Sequence, residues 1–238
     1  MTKRAVVTGA ASGIGEAVAR RLLQEGVSVL AVDRAEARVD GAEPLMADLG
    51  TEDGCARVAE AGAGADYLVN AAGIIVLAPI LEVSRAQWRD VFRVNAEAVF
   101  FLCQAIGPTM PAGGAIVNVS SISAKLAATQ ETAVYAASKT AILSVTRSFA
   151  YALAPRDVRV NAICPGIIDT PMQDRVLDDV ARLRGITRDE LSAARTANVP
   201  LARGASPDEC AGAIWFLLSA GAGYMTGQAV NFDGGMVM

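Results

Sequence analysis

Residues Arg4–Leu23 read RAVVTGAASGIGEAVARRLL. Arg4 to Val7 is a short apolar run, Thr8 to Gly15 is rich in glycine and small residues, and Val18, Leu22 and Leu23 then recur at helical spacing. The sequence predicts strand, Gly-rich turn and helix in immediate succession. Backbone amides at such a helix start form an anion site, and glycines let a pyrophosphate approach the main chain closely. The candidate contacts are Gly9, Ser12, Gly13, Ile14 and Gly15. Their spacing is GxxxGxG, not GxGxxG, and it also fits an ordinary tight strand-to-helix turn.

The totals frame this unit. At 238 residues, 53% apolar and 5% aromatic, the chain suits one large α/β domain or two small ones, with helices packed closely on a parallel sheet. Net charge is −4, and no Lys/Arg cluster offers a footprint for a phosphate backbone, so nucleic acid is not an expected partner. Cys55, Cys103, Cys164 and Cys210 are scattered without a CxxC and read as buried free thiols. The chain has no His, which removes a Ser/His/Asp triad, an HExxH zinc site and an imidazole base; no metal site is expected. Met1 to Thr8 carries too short an apolar run for a leader, and Ala71 to Leu81 is too short to cross a bilayer. A soluble, cytoplasmic protein without membrane contact is expected.

Further along, Gly26 ends the first helix and Val27 to Val32 reads as a buried strand closing on Asp33. An acid about twenty residues past the glycines is where a ribose 2′-hydroxyl is held. The 2′-phosphate of NADP would meet that carboxylate, so NAD is favoured, although Arg34 could partly accommodate the phosphate. Pro44 to Ala47 ends on Asp48, which could face an adenine edge or cap a turn. Glu52 to Ala61 reads as a helix, and Tyr67 to Val69 as a strand running into Asn70, Ala71, Ala72 and Gly73. Ser84 and Gln87 suggest a capping box for one long helix carrying Trp88, Val91, Phe92, Val94, Val99, Phe100 and Leu102. Asn95 inside that helix must be exposed or have a hydrogen-bonding task.

Ala115 to Val119 is a strand that delivers Ser120 and Ser121 to its carboxyl end, as candidates for chemistry or as a serine-capped loop. The predicted helix Thr129 to Ala150 puts Tyr135 and Lys139 on one face, four residues apart. Arg159 to Ile163 is a strand followed by Pro165, Gly166, Ile168 and Thr170. Gln173 to Val199 is charged and helical without a strong apolar face, which suits a mobile lid, spanning 172–200, over a pocket. Ser206, Pro207 and Glu209 start the next helix, and Ala229 to Phe232 is a last strand. Strands alternate with helices throughout, without linker or repeat, which predicts a single α/β domain of doubly wound Rossmann type over 1–238.

Taken together, TGxxxGIG at Thr8–Gly15, NAAG at Asn70–Gly73, Asn95, the Ser121 strand end, YAASK at Tyr135–Lys139 and PGIIDT at Pro165–Thr170 resemble the short-chain dehydrogenase/reductase family over essentially the whole chain. The resemblance implies a seven-stranded parallel sheet with helices on both faces, an NAD(P)-dependent oxidoreductase and a homotetramer. It implies that Tyr135 exchanges a proton with the substrate oxygen. Lys139 would lower the phenol pKa and hold the nicotinamide ribose, Ser121 would hydrogen-bond the reacting oxygen, and Asn95 would anchor the proton relay. Asp48 and Leu49 would flank adenine, with Thr170 and Ile168 at the carboxamide; Asn70, Ala71, Gly73, Pro165 and Gly166 complete the cofactor set. Ser121 precedes Tyr135 by fourteen residues where thirteen is common, which requires a one-residue loop insertion and leaves Ser120 and Ser123 as conceivable substitutes. Ala124 stands where the family has Gly.

The expected reaction is NAD-dependent interconversion of a secondary alcohol and a ketone, on a small polar substrate such as a polyol or sugar. An NADPH-dependent 3-oxoacyl thioester reductase and a non-catalytic dinucleotide-binding sensor are the alternatives. The helices Trp88–Gly107 and Tyr135–Ala154 are too apolar for one buried face each, and the resemblance implies that they pair across a two-fold axis.

Overall fold

Period-two alternation in the central strands sends Val7, Ala31, Val69 and Val117 to one layer of the core and Val6, Leu30, Val32, Leu68 and Ile116 to the other. Strands buried on both faces in this way need helices on both sides. The computed structural model describes residues 2–126 and 130–237. Its strands are β1 Arg4–Thr8, β2 Ser28–Asp33, β3 Glu43–Met46, β4 Tyr67–Asn70, β5 Ala115–Val119, β6 Arg159–Pro165 and β7 Ala229–Phe232. They form one parallel seven-stranded sheet in the order β3-β2-β1-β4-β5-β6-β7.

Helices α1 (Gly13–Gln24) and α8 (Pro207–Leu218) cover the first face. The other is covered by α2 (Glu52–Gly62), α4 (Ala98–Ile106) and α5 (Ala133–Leu153). Gly26, at φ 76°, lets the chain leave α1, with the Val27 amide returning to the Leu22 carbonyl at 2.9 Å. The chain runs outward from β1 through β2 to β3, then restarts at β4 on the opposite side. A crevice therefore opens at the carboxyl ends of β1 and β4, where a doubly wound sheet binds its ligands.

Three elements differ from the sequence reading. The long helix expected from Trp88 onward is broken: α3 (Arg85–Phe92) passes through a π-helical turn at Arg93–Glu97 into α4. The helix carrying Tyr135 and Lys139 runs Ala133–Leu153; Thr129, its expected start, lies outside the described residues. The segment Gln173–Val199 does have an apolar face. It folds as α6 (Pro171–Arg184) and α7 (Arg188–Thr196), which bury Val176, Leu177, Val180, Ala181 and Leu191 against Ile75 and Leu77. Arg and Asp on the flanks of these helices narrow the stripe and hide it from a composition reading. Cys103, Cys164 and Cys210 are buried free thiols, while Cys55 is half-buried. Among the described residues no helix is long and apolar enough to cross a membrane.

Candidate active site

The cleft at the switch point has a volume of about 980 Å³. Its floor is the Gly-rich turn. A Cβ on Gly9 would lie 2.8 Å from the Ala72 backbone, and one on Gly15 would lie 2.1 Å from the Gly9 carbonyl oxygen. Gly13 sits at φ 59°, with Thr170 against it. Glycine is thus required where the main chain closes on itself, and the first turn of α1 stays bare. Ser12, its N-cap, makes no capping hydrogen bond from its side chain, which leaves the helix-start amides for an anion. On the β2 side, Asp33 accepts from the Ala11 amide and from the Ala35 amide, each at 3.1 Å. Its carboxylate is held facing the cleft with lone pairs to spare. These features fit a dinucleotide: a cradle for pyrophosphate at α1 and an acceptor for a ribose hydroxyl at Asp33.

Thr8 is a participant that the sequence reading missed. Its hydroxyl oxygen accepts from the Ala71 and Ala72 amides, both at 3.1 Å, and so ties the end of β1 to the turn after β4. Nothing in its one-residue context announces that task. Of the expected residues, Gly9, Ser12, Gly13, Ile14, Gly15, Asp33, Arg34, Asp48, Leu49, Ala71, Gly73, Ser121, Tyr135, Lys139, Pro165, Gly166, Ile168 and Thr170 all line the cleft. Asn70 and Asn95 do not. The Asn70 amide donates to Asn118 at 2.9 Å inside the core. Asn95 is buried within the π-turn, where it accepts from the Ile74 amide at 2.8 Å and donates to the Ile74 carbonyl at 2.9 Å and to Ser138 at 3.0 Å. A π-turn inserts one residue into the helix ladder, which rotates this side chain onto the cleft wall's backbone.

At the deep end of the cleft, α5 presents Tyr135 and Lys139 on one face. The Lys139 ammonium lies 5.7 Å from the centre of the Tyr135 ring and donates to the Val119 carbonyl at 2.8 Å. Burial pulls its pKa down to about 8. Burial also pushes the Tyr135 phenol up to about 12, with a hydrogen bond from Ser121 acting in the opposite direction. Desolvation is the leading influence on the phenol in this state, and the Ser121 hydrogen bond is what opposes it. Ser121 accepts from the Ser123 amide at 3.1 Å. Ser120 also lines the cleft, but its hydroxyl is committed to the Lys139 carbonyl at 2.8 Å, where it braces α5. No cluster of metal-ligating side chains occurs among the described residues.

A parallel doubly wound sheet with a glycine cradle and an acid at the next strand end defines a nucleotide-binding α/β protein. A family model described as enoyl-(acyl carrier protein) reductase matches residues 9–237. D-threitol dehydrogenase of Mycolicibacterium smegmatis is 37% identical over 98% of this chain and 92% of its own. A 3-oxoacyl-[acyl-carrier-protein] reductase of Thermotoga maritima is 35% identical over 99% of this chain and 98% of its own. The solved structure of a short chain dehydrogenase family protein from Francisella tularensis superposes with a TM-score of 0.92 at 29% identity, covering 99% of both chains. The chain belongs to the short-chain dehydrogenase/reductase family, and is an NAD(P)-dependent oxidoreductase acting on CH–OH groups.

Proposed function

We propose that the protein interconverts a small polar secondary alcohol and its ketone, with NAD as the preferred cofactor. The observation that carries this reading is the convergence of Ser121, Tyr135 and Lys139 at the deep end of a cleft whose other end is the glycine cradle. The cofactor would be held by Gly9 to Gly15 at its pyrophosphate, by Asp33 at the adenosine ribose, by Asp48 and Leu49 at adenine, and by Ile168 and Thr170 at the carboxamide. The chemistry it supplies is acceptance of hydride from the carbinol carbon, or its return to the carbonyl carbon.

The chain's own groups handle the proton. Tyr135 takes the hydroxyl proton of the alcohol at its phenolic oxygen, and Ser121 donates to the same substrate oxygen as negative charge develops on it. Lys139 places a cation beside the phenol and offsets charge on it once the proton has moved. Asn95 acts through backbone, fixing Ile74 and the start of the wall above the site. Helices α6 and α7 form the substrate lid. Gln173, Arg175, Arg184 and Arg195 give it a polar lining, which, with the threitol-oxidising relative, supports a polyol or sugar class. We also propose a homotetramer.

Tyr135→Phe should lower kcat by on the order of a thousandfold, with NAD still bound. Because burial keeps the phenol protonated, kcat/KM for alcohol oxidation should rise with pH until about pH 8, where Lys139 begins to lose the charge that offsets the phenolate, and ketone reduction should be favoured at lower pH. NAD should exceed NADP in kcat/KM by about tenfold or more, since Asp33 opposes the added phosphate. A Tyr135→Phe enzyme with undiminished turnover, or a protein that binds neither dinucleotide, would falsify the reading. Turnover of a 3-oxoacyl thioester with NADPH in preference to any polyol would reassign the substrate.

A further inference from the structure

We infer that the substrate carries a carboxylate, and that Arg195 is the side chain that selects it. The inference rests on the proposed alcohol chemistry at Tyr135 and adds to it the charge of the molecule being oxidised. It starts from a mismatch between a cation and its surroundings.

The cleft-facing positions of α7 and its exit are Leu191, Ala194, Arg195 and Asn198, spaced three and four apart so that one helical face looks into the cavity. Arg195 lies at the middle of that face, half-buried, beside the apolar stripe of Val176, Val180 and Leu191. Its guanidinium donates to the Gln173 amide oxygen at 3.4 Å, a long bond to a neutral acceptor. No carboxylate among the described residues pairs with it. The neighbouring charge that acts on it is the Arg184 guanidinium, of the same sign.

Carboxylates around the lid are engaged elsewhere, Asp174 and Asp178 with Arg188 and Glu190 with the Thr187 cap. Arg184 is itself held by Glu131 through two bonds of 2.9 Å, so that carboxylate is committed. Asp179 also faces the cleft, but pairs with Arg182 at 2.5 Å. A guanidinium drawn partly out of water without a counter-charge is destabilised, and burial already lowers the pKa of Arg195. Such a group is stabilised by a ligand that brings a planar anion to its fork, and carboxylate matches that geometry bidentately. The reacting carbinol at Tyr135 and the anion at Arg195 would then sit in one cleft, which points to hydroxy acids, with polyhydroxy acids suiting the polar lid.

The cofactor pyrophosphate is the other anion that enters this cleft, so the test separates the two. Wild type and Arg195→Gln would be assayed on matched pairs that differ in one terminal group, threonate against threitol and gluconate against glucitol. Binding of each acid to the enzyme–NADH complex would be read in parallel from NADH fluorescence, which needs no turnover. The expected result is an acid-over-alcohol preference in kcat/KM for wild type that falls about thirtyfold or more in Arg195→Gln, mostly through KM. Arg195→Lys should restore part of it, because charge returns without the fork.

Equal loss on acids and alcohols, or weakened NADH binding in Arg195→Gln, would overturn the inference and assign Arg195 to the cofactor or to lid stability. A wild type that binds and oxidises the neutral partners better would overturn it too, while leaving the alcohol chemistry at Tyr135 standing. Failure of that chemistry shows separately, in the Tyr135→Phe comparison.

Discussion

Lys139 faces two opposed demands. The proposed chemistry asks for a cation beside Tyr135, and burial resists it, bringing the ammonium from an ordinary 10.5 to about 8. The sign of the stability effect follows. Between about pH 8 and 10.5 the unfolded chain holds a proton on this lysine that the folded chain has released, so folding stability gains with rising pH. Below pH 8 both states are protonated and the desolvation cost is fully present. Relative to Lys139→Met, the wild type should therefore gain on the order of 2 kcal/mol between pH 7 and pH 9.5, with other titrating groups cancelling in the comparison. Urea unfolding of both proteins at the two pH values checks this, and a flat difference would mean that the ammonium is not desolvated. The residue types of the site were legible because Tyr and Lys four apart need only a helix to meet. Their titration was not, because desolvation depends on which strands and helices close over them.

The π-turn at Arg93–Glu97 shows what an element does that no residue announces. One extra residue in the ladder shifts the helical phase, so Asn95 lands against Ile74 while Val91 before it and Val99 after it both stay buried. The apolar spacing on either side reads as one continuous helix, and the sequence marks the anomaly through the Asn alone. Capping boxes at Ser84–Gln87 and Ser206–Glu209 were legible in advance because they are local chemistry; the equivalent box at Thr187–Glu190 lay hidden in a charge-dense stretch. Removing the Asn95 amide leaves both backbone groups of Ile74 without their side-chain partner. Asn95→Ala should cost about 2–3 kcal/mol, and the Ile74 amide should lose hydrogen-exchange protection ahead of the β4 amides. A variant whose Ile74 amide stays as protected as in wild type would show that the π-turn does not hold this wall.

On the scale of the whole molecule, apolar surface remains on both sides of the sheet. Over α4 and α5, Phe101 is 49% exposed and Tyr151 is 89% exposed, while Phe100 packs edge-on against Phe149 at 5.2 Å and so joins the two helices into one aromatic face. On the opposite layer Phe216 of α8 is exposed, and so is Tyr224 beyond the end of that helix. Aromatic groups of this size left in water favour association. A self-complementary patch closes about a two-fold axis, and two such patches on opposite faces give a dimer of dimers. The exposed aromatic groups on α4 and α5 are the apolar surplus that the sequence reading assigned to these two helices. Sedimentation velocity at micromolar protein should accordingly show a tetramer, and Phe101→Glu should cut it to a dimer by placing charge in the α4–α5 face while the face at Phe216 stays intact. Phe216→Glu should likewise stop at a dimer, and the double substitution should reach the monomer. A wild type that sediments as a monomer would refute the pairing, and a Phe101→Glu protein that remains tetrameric would move the interface away from α4 and α5.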